Sequence, residues 1–305
     1  MKENIRPNST RLAILLPFAL VTLIWGSTWI VIRDQIAVVP ATWSVTYRFI
    51  VAGGAMAVVA HLRGERFPSD ARGFAFAGLT GLCQFFGNFN LVYRAEAHIT
   101  SGLVAVVFAL LLLPNALLGR VVLGQRLGRQ LLAGSAVAMA GIGLLVLHQA
   151  RSDPAGPREA LIGLALTAGA IGCASVANVA QATDTAKYYP MLATVSLAML
   201  IGAAADGATA WAIAGPPVVE WRWGYLAGVL YLGLAASALA FPLYYRVIRV
   251  IGPAKGAYSS VIVPVIAMGL STLFEGYRWA ALAGAGAALT AVGLVIALTA
   301  RRPAR

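Results

Sequence analysis

Residues 134–147, GSAVAMAGIGLLVL, and residues 284–297, GAGAALTAVGLVIA, align without a gap at an offset of 150 positions. Gly134 meets Gly284, Ala138 meets Ala288, and Gly143-Leu144 meets Gly293-Leu294. Small apolar residues coincide readily in membrane helices, so these matches alone are weak. Two upstream pairs at the same offset carry more weight: Pro114 with Pro264, and Gln125 with Glu275. The chain thus reads as two copies of one unit, residues 1–150 and 151–305.

Apolar runs on either side complete each unit. The first holds residues 12–32, 41–61, 73–93, 99–118 and 130–148; the second holds 160–181, 190–212, 223–245, 254–274 and 279–299. Each has about 20 residues, the length a helix needs to cross a bilayer. Hydrocarbon offers backbone groups no partner, so each run must be helical. The alternating pattern of a β-barrel is absent. The expected fold is an all-α integral membrane protein with ten transmembrane helices. Five is an odd number, so the second copy enters with opposite orientation. That gives two inverted five-helix repeats in one integrated membrane domain, an arrangement whose substrate site lies near the repeat interface.

Composition agrees. Of 305 residues, 60% are apolar and 11% charged, against about 25% charged in soluble domains. The net charge of +12 sits in short clusters between apolar runs, where it acts as a topology signal rather than a nucleic-acid face. With the N-terminus in the cytoplasm, sixteen Lys and Arg lie inside and six outside, with Arg48 within a span. The expectation is a multi-pass membrane protein with both termini cytoplasmic. No A-x-A cleavage site follows residues 12–32, so that run is read as a retained helix. The interspan segments are far shorter than a soluble domain, and a monomer is expected.

Cys83 and Cys173 read as apolar fillers, and the three histidines lack ligand spacing. With no P-loop, dinucleotide fingerprint or nucleophile–base set, no enzyme activity, cofactor or metal is expected. The partners expected are a small-molecule substrate and the lipid bilayer.

Polar residues deep in lipid are costly and face the bundle interior. That selects Trp25, Ser27, Gln84, Asn88, Ser175, Asn178, Tyr231 and Tyr258 as candidate substrate-binding residues. Gln84 and Asn88 are four apart and share one helix face. Amides bind both ammonium and carboxylate groups, and Trp25 and Tyr231 can stack on an apolar side group. The same polar types also act as interhelical glue, worth about 0.5–2 kcal/mol each. Gating or structural roles are assigned to Arg48, Pro114, Asp206, Pro264 and Glu275. Arg48 binds a carboxylate, pairs with carbonyls or snorkels outward, with a structural role favoured. Asp206 is expected close to water. Tyr244, Tyr245, Trp221, Trp223 and Trp279 sit at span ends and are expected in the interfacial aromatic belt.

Trp25-Gly26-Ser27-Thr28 stands in the first span and Tyr47-Arg48-Phe49 in the second. Pro114 and Pro264 are followed by Gly124-Gln125-Arg126-Leu127 and Glu275-Gly276-Tyr277-Arg278, then by a glycine-rich last helix. In order and spacing, over nearly the whole chain, this resembles the EamA family of the drug/metabolite transporter superfamily. The resemblance implies ten helices around a central cavity, with the last helix of each repeat peripheral, and efflux of small metabolites. Within the family the chain is similar to bacterial amino-acid exporters, including the aromatic type. The family usually has glutamate at both link positions; Gln125 departs from that, so a symmetric carboxylate pair is missing.

The expected function is export of amino acids or related amphipathic compounds by alternating access, with bends at Pro114, Pro264 and Gly26. No carboxylate stands near a span centre, which favours facilitated diffusion or exchange over the alternative, a proton-coupled efflux carrier. A channel would need a continuous polar stripe. A lipid-modifying enzyme would need clustered carboxylates or histidines on one membrane face. The sequence offers neither.

Overall fold

The computed structural model describes residues 7–152, 156–256 and 259–299. These fold into helical rods, α1 to α10. They are α1 (Pro7–Gln35), α2 (Ala41–Leu62), α3 (71–95), α4 (Ser101–Leu123), α5 (Arg129–Ser152), α6 (Gly156–Ala180), α7 (Met191–Ala214), α8 (Trp223–Ile251), α9 (Ser259–Phe274) and α10 (Ala281–Leu298). No strand occurs among the described residues. Seven rods, α1, α2 and α4 to α8, are long and apolar enough to cross a membrane, and α9 and α10 contain shorter apolar helices. Their expected spans are matched to within a few residues at most ends. The exception in kind is α3: it is long enough, but Gln84, Asn88 and Asn90 lower its hydropathy.

Proline and glycine set several helix ends. Pro40 and Pro190 stand before α2 and α7 with φ near −52° and −56°. Both lack the N–H that a helix's first turn leaves idle, and their fixed φ favours the start. They too are 150 positions apart. Gly124 closes α4 at φ 64°, a left-handed conformation that a Cβ would strain.

The helix neighbours repeat under exchange of α1–α5 with α6–α10. Equivalent helices pair: α2 with α7, α4 with α9, and α5 with α10. The packing of α1 on α9 mirrors α6 on α4, and that of α3 on α7 mirrors α8 on α2. The α5–α10 seam fixes the relative sense. Gly134 lies against Gly293 and Ala297, whereas Gly141 lies against Gly286 and Thr290. Residue numbers rise along one helix as they fall along the other, so equivalent helices run antiparallel. The α2–α7 pair agrees: Trp43 Nε1 donates to the Gly215 carbonyl at 3.3 Å, and Ser196 Oγ to the Gly53 carbonyl at 2.8 Å. The repeats are inverted. Small residues bring backbones together where lipid supplies no hydrophobic drive.

Local irregularity is also shared. Residues Gly81–Asn88 of α3 and Tyr231–Leu239 of α8 are π-helical. Their starts differ by the repeat offset, and π segments are frequent at functional sites. In α4 a 3-10 turn, Ala109–Leu111, precedes Pro114. Pro114 has no N–H for the carbonyl four residues back, so the helix tightens there. In α9 the α-helix continues across Pro264.

Candidate functional site

Between the repeats lies a cavity of about 100 Å³. It is lined by α1 (Trp25, Thr28, Trp29, Ile32), α2 (Arg48), α3 (Gln84, Asn88, Phe89, Val92), α4 (Ala105, Phe108, Ala109, Leu111), α6 (Ala174, Asn178), α8 (Phe241, Tyr244) and α9 (Val263). Helices α5 and α10 contribute none of these residues, as the peripheral placement of the last helices implied.

Arg48 is the charge of the site. It is 1% exposed, yet it borders the cavity. Its Nε donates to Ser237 Oγ at 2.9 Å, and Nη1 approaches the Tyr93 hydroxyl at 3.5 Å. The guanidinium carbon stands 4.2 Å from the Phe89 ring centroid and 5.4 Å from that of Phe49. No carboxylate oxygen pairs with it within 4.0 Å among the described residues. A desolvated cation–π contact contributes about 2 kcal/mol, and a hydrogen bond to a charged group about 1.5–3 kcal/mol. Burying an uncompensated charge costs several kcal/mol. Ser237 and Tyr93 hold the guanidinium, which forms no direct ion pair among the described residues, with the buried Glu96 carboxyl within its electrostatic reach.

Polar atoms without partners surround it. Gln84 Oε1, Asn88 Oδ1 and Trp29 Nε1 are buried and make no hydrogen bond among the described residues. Each unmatched group costs about 1–3 kcal/mol, which a ligand or water would recover. The π turn of α3 presents both Gln84 and Asn88 to the cavity, and that of α8 supplies Ser237 to Arg48. The remaining wall is aromatic. Trp25 contacts Phe241 and Tyr244 at centroid distances of 5.3 and 4.8 Å, and Trp29 contacts Phe108 at 5.8 Å. Phe49, Phe85, Phe89 and Phe241 continue the cluster behind Arg48.

Of the residues chosen from sequence, Trp25, Gln84, Asn88, Asn178 and Arg48 meet at this cavity. Trp25 Nε1 is held by the Ala236 carbonyl at 3.1 Å. Ser27 and Tyr231 lie outside the lining and hydrogen-bond each other across the repeats at 2.6 Å. Ser175 is buried on α6, and its hydroxyl makes no hydrogen bond among the described residues. Tyr258 lies outside the described residues. Pro114 and Pro264 border no part of the cavity, although Val263 does.

Three expectations are corrected. Asp206, expected close to water, is 0% exposed: it faces α3, where Asn90 Nδ2 donates to its Oδ1. Tyr244 and Tyr245, assigned to the aromatic belt, are buried instead, at 4% and 0%. They stand three and four residues after Phe241, on the face of α8 that meets the aromatic wall. Trp221, Trp223 and Trp279 are exposed, as a belt requires. Thr28 was recognisable as a polar residue one turn from Trp25. Trp29, Phe89, Phe108 and Phe241 were missed, since apolar residues are indistinguishable from packing by type alone.

Glu275 joins α9 to α4. It accepts from Ser101 Oγ at 2.8 Å and Ser101 N at 3.4 Å, and from Ser271 Oγ, with Arg33 Nε 4.0 Å away. Its counterpart Gln125 lies beside Gly119 and Gly252, without such a side-chain bond among the described residues. Outside the spanning segments, the Tyr189 hydroxyl donates to Asp70 Oδ2 at 2.6 Å, and Asp70 caps α3 through Gly73 N. Tyr189 holds the Asp70 carboxyl below its usual range, and Asp70 pushes the Tyr189 phenol up to about 12.

Two inverted helical repeats enclosing a small, aromatic, singly charged cavity define a membrane carrier. Residues 12–147 and 161–299 each match the EamA-like transporter family, so the chain belongs to that family. It is 23% identical over 271 residues to protein PagO of Salmonella typhimurium, covering 88% of this chain and 86% of that one. It is 27% identical over 253 residues to a protein of Streptantibioticus cattleyicolor named "probable terminal-alkyne amino-acid exporter", covering 82% and 81%. It is 29% identical over 259 residues to the uncharacterised inner membrane transporter YedA of Escherichia coli K12, covering 82% and 79%. A solved crystal structure at 22% identity shares the fold, with a TM-score of 0.67 over 93% of this chain and 96% of that one.

Proposed function

We propose that the chain exports small amphipathic solutes bearing a carboxylate, amino acids above all, across a bacterial inner membrane by alternating access. The observation that carries this is Arg48: a buried cation that forms no ion pair among the described residues, at the edge of a cavity with an aromatic wall and two amide oxygens that accept no hydrogen bond among those residues. Arg48 would take the carboxylate, Gln84 and Asn88 the ammonium, and Trp25, Phe89, Phe241 and Tyr244 the apolar group. The amino-acid exporter among the relatives supports the solute class. A cavity of about 100 Å³ has room for only a few water-sized groups, and an amino acid requires it to widen, as rocking of residues 1–150 against 151–305 would do. The excess of Lys and Arg on one side supports cytoplasmic termini. Movement is down the solute's own gradient or in exchange, with proton coupling the second reading, favoured by the burial of Asp206.

The test is counterflow in proteoliposomes. Purified protein is loaded in turn with phenylalanine, tryptophan, leucine, glutamate, lysine and cationic drugs. Transient accumulation of label for a carboxylate-bearing subset is the expected result. Counterflow of the cationic drugs alone would overturn the assignment of Arg48, and none for any solute would overturn the solute class.

A further inference from the structure

A second space opens on the face where α4, α6 and α8 all end. It is a hollow of about 480 Å³, within the range of about 300–1,000 Å³ usual for small-molecule clefts. Its wall includes Leu123 and Gln125 around the end of α4, Thr183 and Lys187 after α6, and Arg249 and Gly252 around the end of α8. A layer of polar side chains separates it from the central cavity. Along α6, Asn178 lines the cavity and Thr183, just past the helix, lines the hollow, with Gln181 between them. Along α8, Tyr244 lines the cavity and Arg249 the hollow, with Tyr245 between them. At the helical rise per residue this layer is about 7 Å thick.

Arg249 Nη2 donates to Gln181 Oε1 at 2.9 Å and so ties α8 to the end of α6. Arginine only donates, so Gln181 has to turn its oxygen to it and its amino group elsewhere. Gln181 and Tyr245 are both 0% exposed. Gln181 Nε2, Arg249 Nε and the Tyr245 hydroxyl are buried and make no hydrogen bond among the described residues. All three can donate, whereas the unmatched atoms of Gln84 and Asn88 in the cavity are acceptors. The acids nearby are engaged. Glu65, within electrostatic reach of Arg249, accepts from Ala193 N at 3.0 Å. Asp184 on the rim pairs with Lys187 at 2.9 Å. No carboxylate oxygen lies within 4.0 Å of an Arg249 nitrogen among the described residues. Bare buried donors are costly, and an anion with several lone pairs satisfies them together. A carboxylate has about four such sites. Its bonds to a guanidinium are about twice as strong as neutral ones, so it displaces the neutral oxygen of Gln181 from Arg249.

From this placement we infer that Arg249, Gln181 and Tyr245 form a second station for the solute's carboxylate, reached from the hollow before the cavity. This rests on the reading of the chain as a carrier of carboxylate-bearing solutes. Docking exchanges one acceptor for another. The carboxylate takes the Arg249 N–H, the Gln181 oxygen is released, and the tie between α6 and α8 parts. The way past Asn178 and Tyr244 to Arg48 then opens under a solute that carries the group Arg48 binds. Once the solute has passed, Gln181 and Arg249 rejoin behind it. The station screens solutes for negative charge before the cavity does.

The test is solute protection of a thiol placed in the hollow. Thr183→Cys is made in the full chain with Cys83→Ala and Cys173→Ala, and labelled with a maleimide in lipid nanodiscs, where both faces meet water. Phenylalanine at ten times its half-protecting concentration should slow labelling about tenfold, and phenethylamine, which lacks the carboxylate, should not. Protection should persist in Arg48→Gln, vanish in Arg249→Gln and return in part in Arg249→Lys. Tyr245→Phe, a milder change, should raise the half-protecting concentration severalfold, and it carries the test if Arg249→Gln does not fold. Protection that disappears in Arg48→Gln arises at the cavity and overturns the station. Equal protection by sulfate or phosphate also overturns it, making the layer a general anion site. Counterflow of phenylalanine with no protection of Thr183→Cys overturns the station and leaves the solute class standing. Neither counterflow nor protection sinks the solute class and the station with it.

Discussion

Gly143 and Gly293 occupy the same place in the two repeats, yet alanine should affect them in opposite ways. A Cβ on Gly293 would stand 2.6 Å from the Gly134 carbonyl oxygen and 2.7 Å from Ala138 Cα, where real contacts begin near 3.4 Å. Both obstacles are backbone, so no side chain can yield. The Ala138 amide nitrogen is closer still, so helices α5 and α10 would have to part by about 1 Å, and a gap of that size forfeits up to half of each dispersion contact it opens. Adding a methyl to a full contact costs about 1–3 kcal/mol, and lipid gives no compensating hydrophobic term. The expected loss is about 2–3 kcal/mol. Gly143 has nothing within 4 Å of an added Cβ, so Gly143→Ala should gain up to about 1 kcal/mol of helix propensity. At about 2–4 °C per kcal/mol, Gly293→Ala should melt about 5 °C or more below wild type in detergent, and Gly143→Ala slightly above it. Calorimetry of the purified protein reads both. Equal shifts, or a Gly293→Ala protein that melts with wild type, would refute the antiparallel glycine seam.

Other outcomes follow from the cavity and its surroundings. Gln84→Ala and Asn88→Ala, each removing an amide that lines the cavity, should lower counterflow about tenfold at equal expression, corresponding to about 1.4 kcal/mol; normal flux in both would move the site off α3. Arg48→Gln should abolish counterflow of carboxylate-bearing solutes while sparing any carried amine that lacks the carboxylate, and Arg48→Lys should restore it only in part. Parallel loss of both solute types would make Arg48 purely structural. Asp70 is depressed by Tyr189, so its contribution to stability is present above the ordinary carboxylate range near 4 and fades as the pH falls through its lowered value. Melting of Asp70→Asn should therefore fall below wild type at neutral pH and converge with it in acid; a constant gap across that range would sever the link.

The spans and their pairing into halves were legible because lipid imposes one rule on every backbone group, and that rule writes itself as runs of apolar residues. Gln84, Asn88 and Trp25 were legible for the converse reason: polar atoms in such runs demand an explanation. The same amides make α3 the helix that hydropathy alone passes over. The π turns of α3 and α8 leave no composition signature, so nothing in the sequence foretold that Ser237 would reach Arg48. Asp206 was misplaced because depth was inferred from distance to a span end, whereas burial depends on which neighbour covers it. Tyr244 and Tyr245 were misassigned by the same shortcut. The repeat offset found Gly134 with Gly284 and Gly143 with Gly293, but only the fold shows that Gly134 and Gly293 touch while their partners face open space.

Two halves related by inversion would, if identical, make a balanced scale: closing one mouth would cost as much as closing the other. Glu275 weights one pan. It ties α9 to the start of α4 through the Ser101 hydroxyl and amide, where Gln125 makes no matching side-chain tie among the described residues. A hydrogen bond to a carboxylate is worth about 1 kcal/mol more than a neutral one, so two such ties bias the resting population by roughly an order of magnitude. An empty carrier of the proposed kind would wait facing one way, because the repeats differ at three positions of this tie, Glu275 against Gln125, Ser101 against Ile251 and Ser271 against Val121.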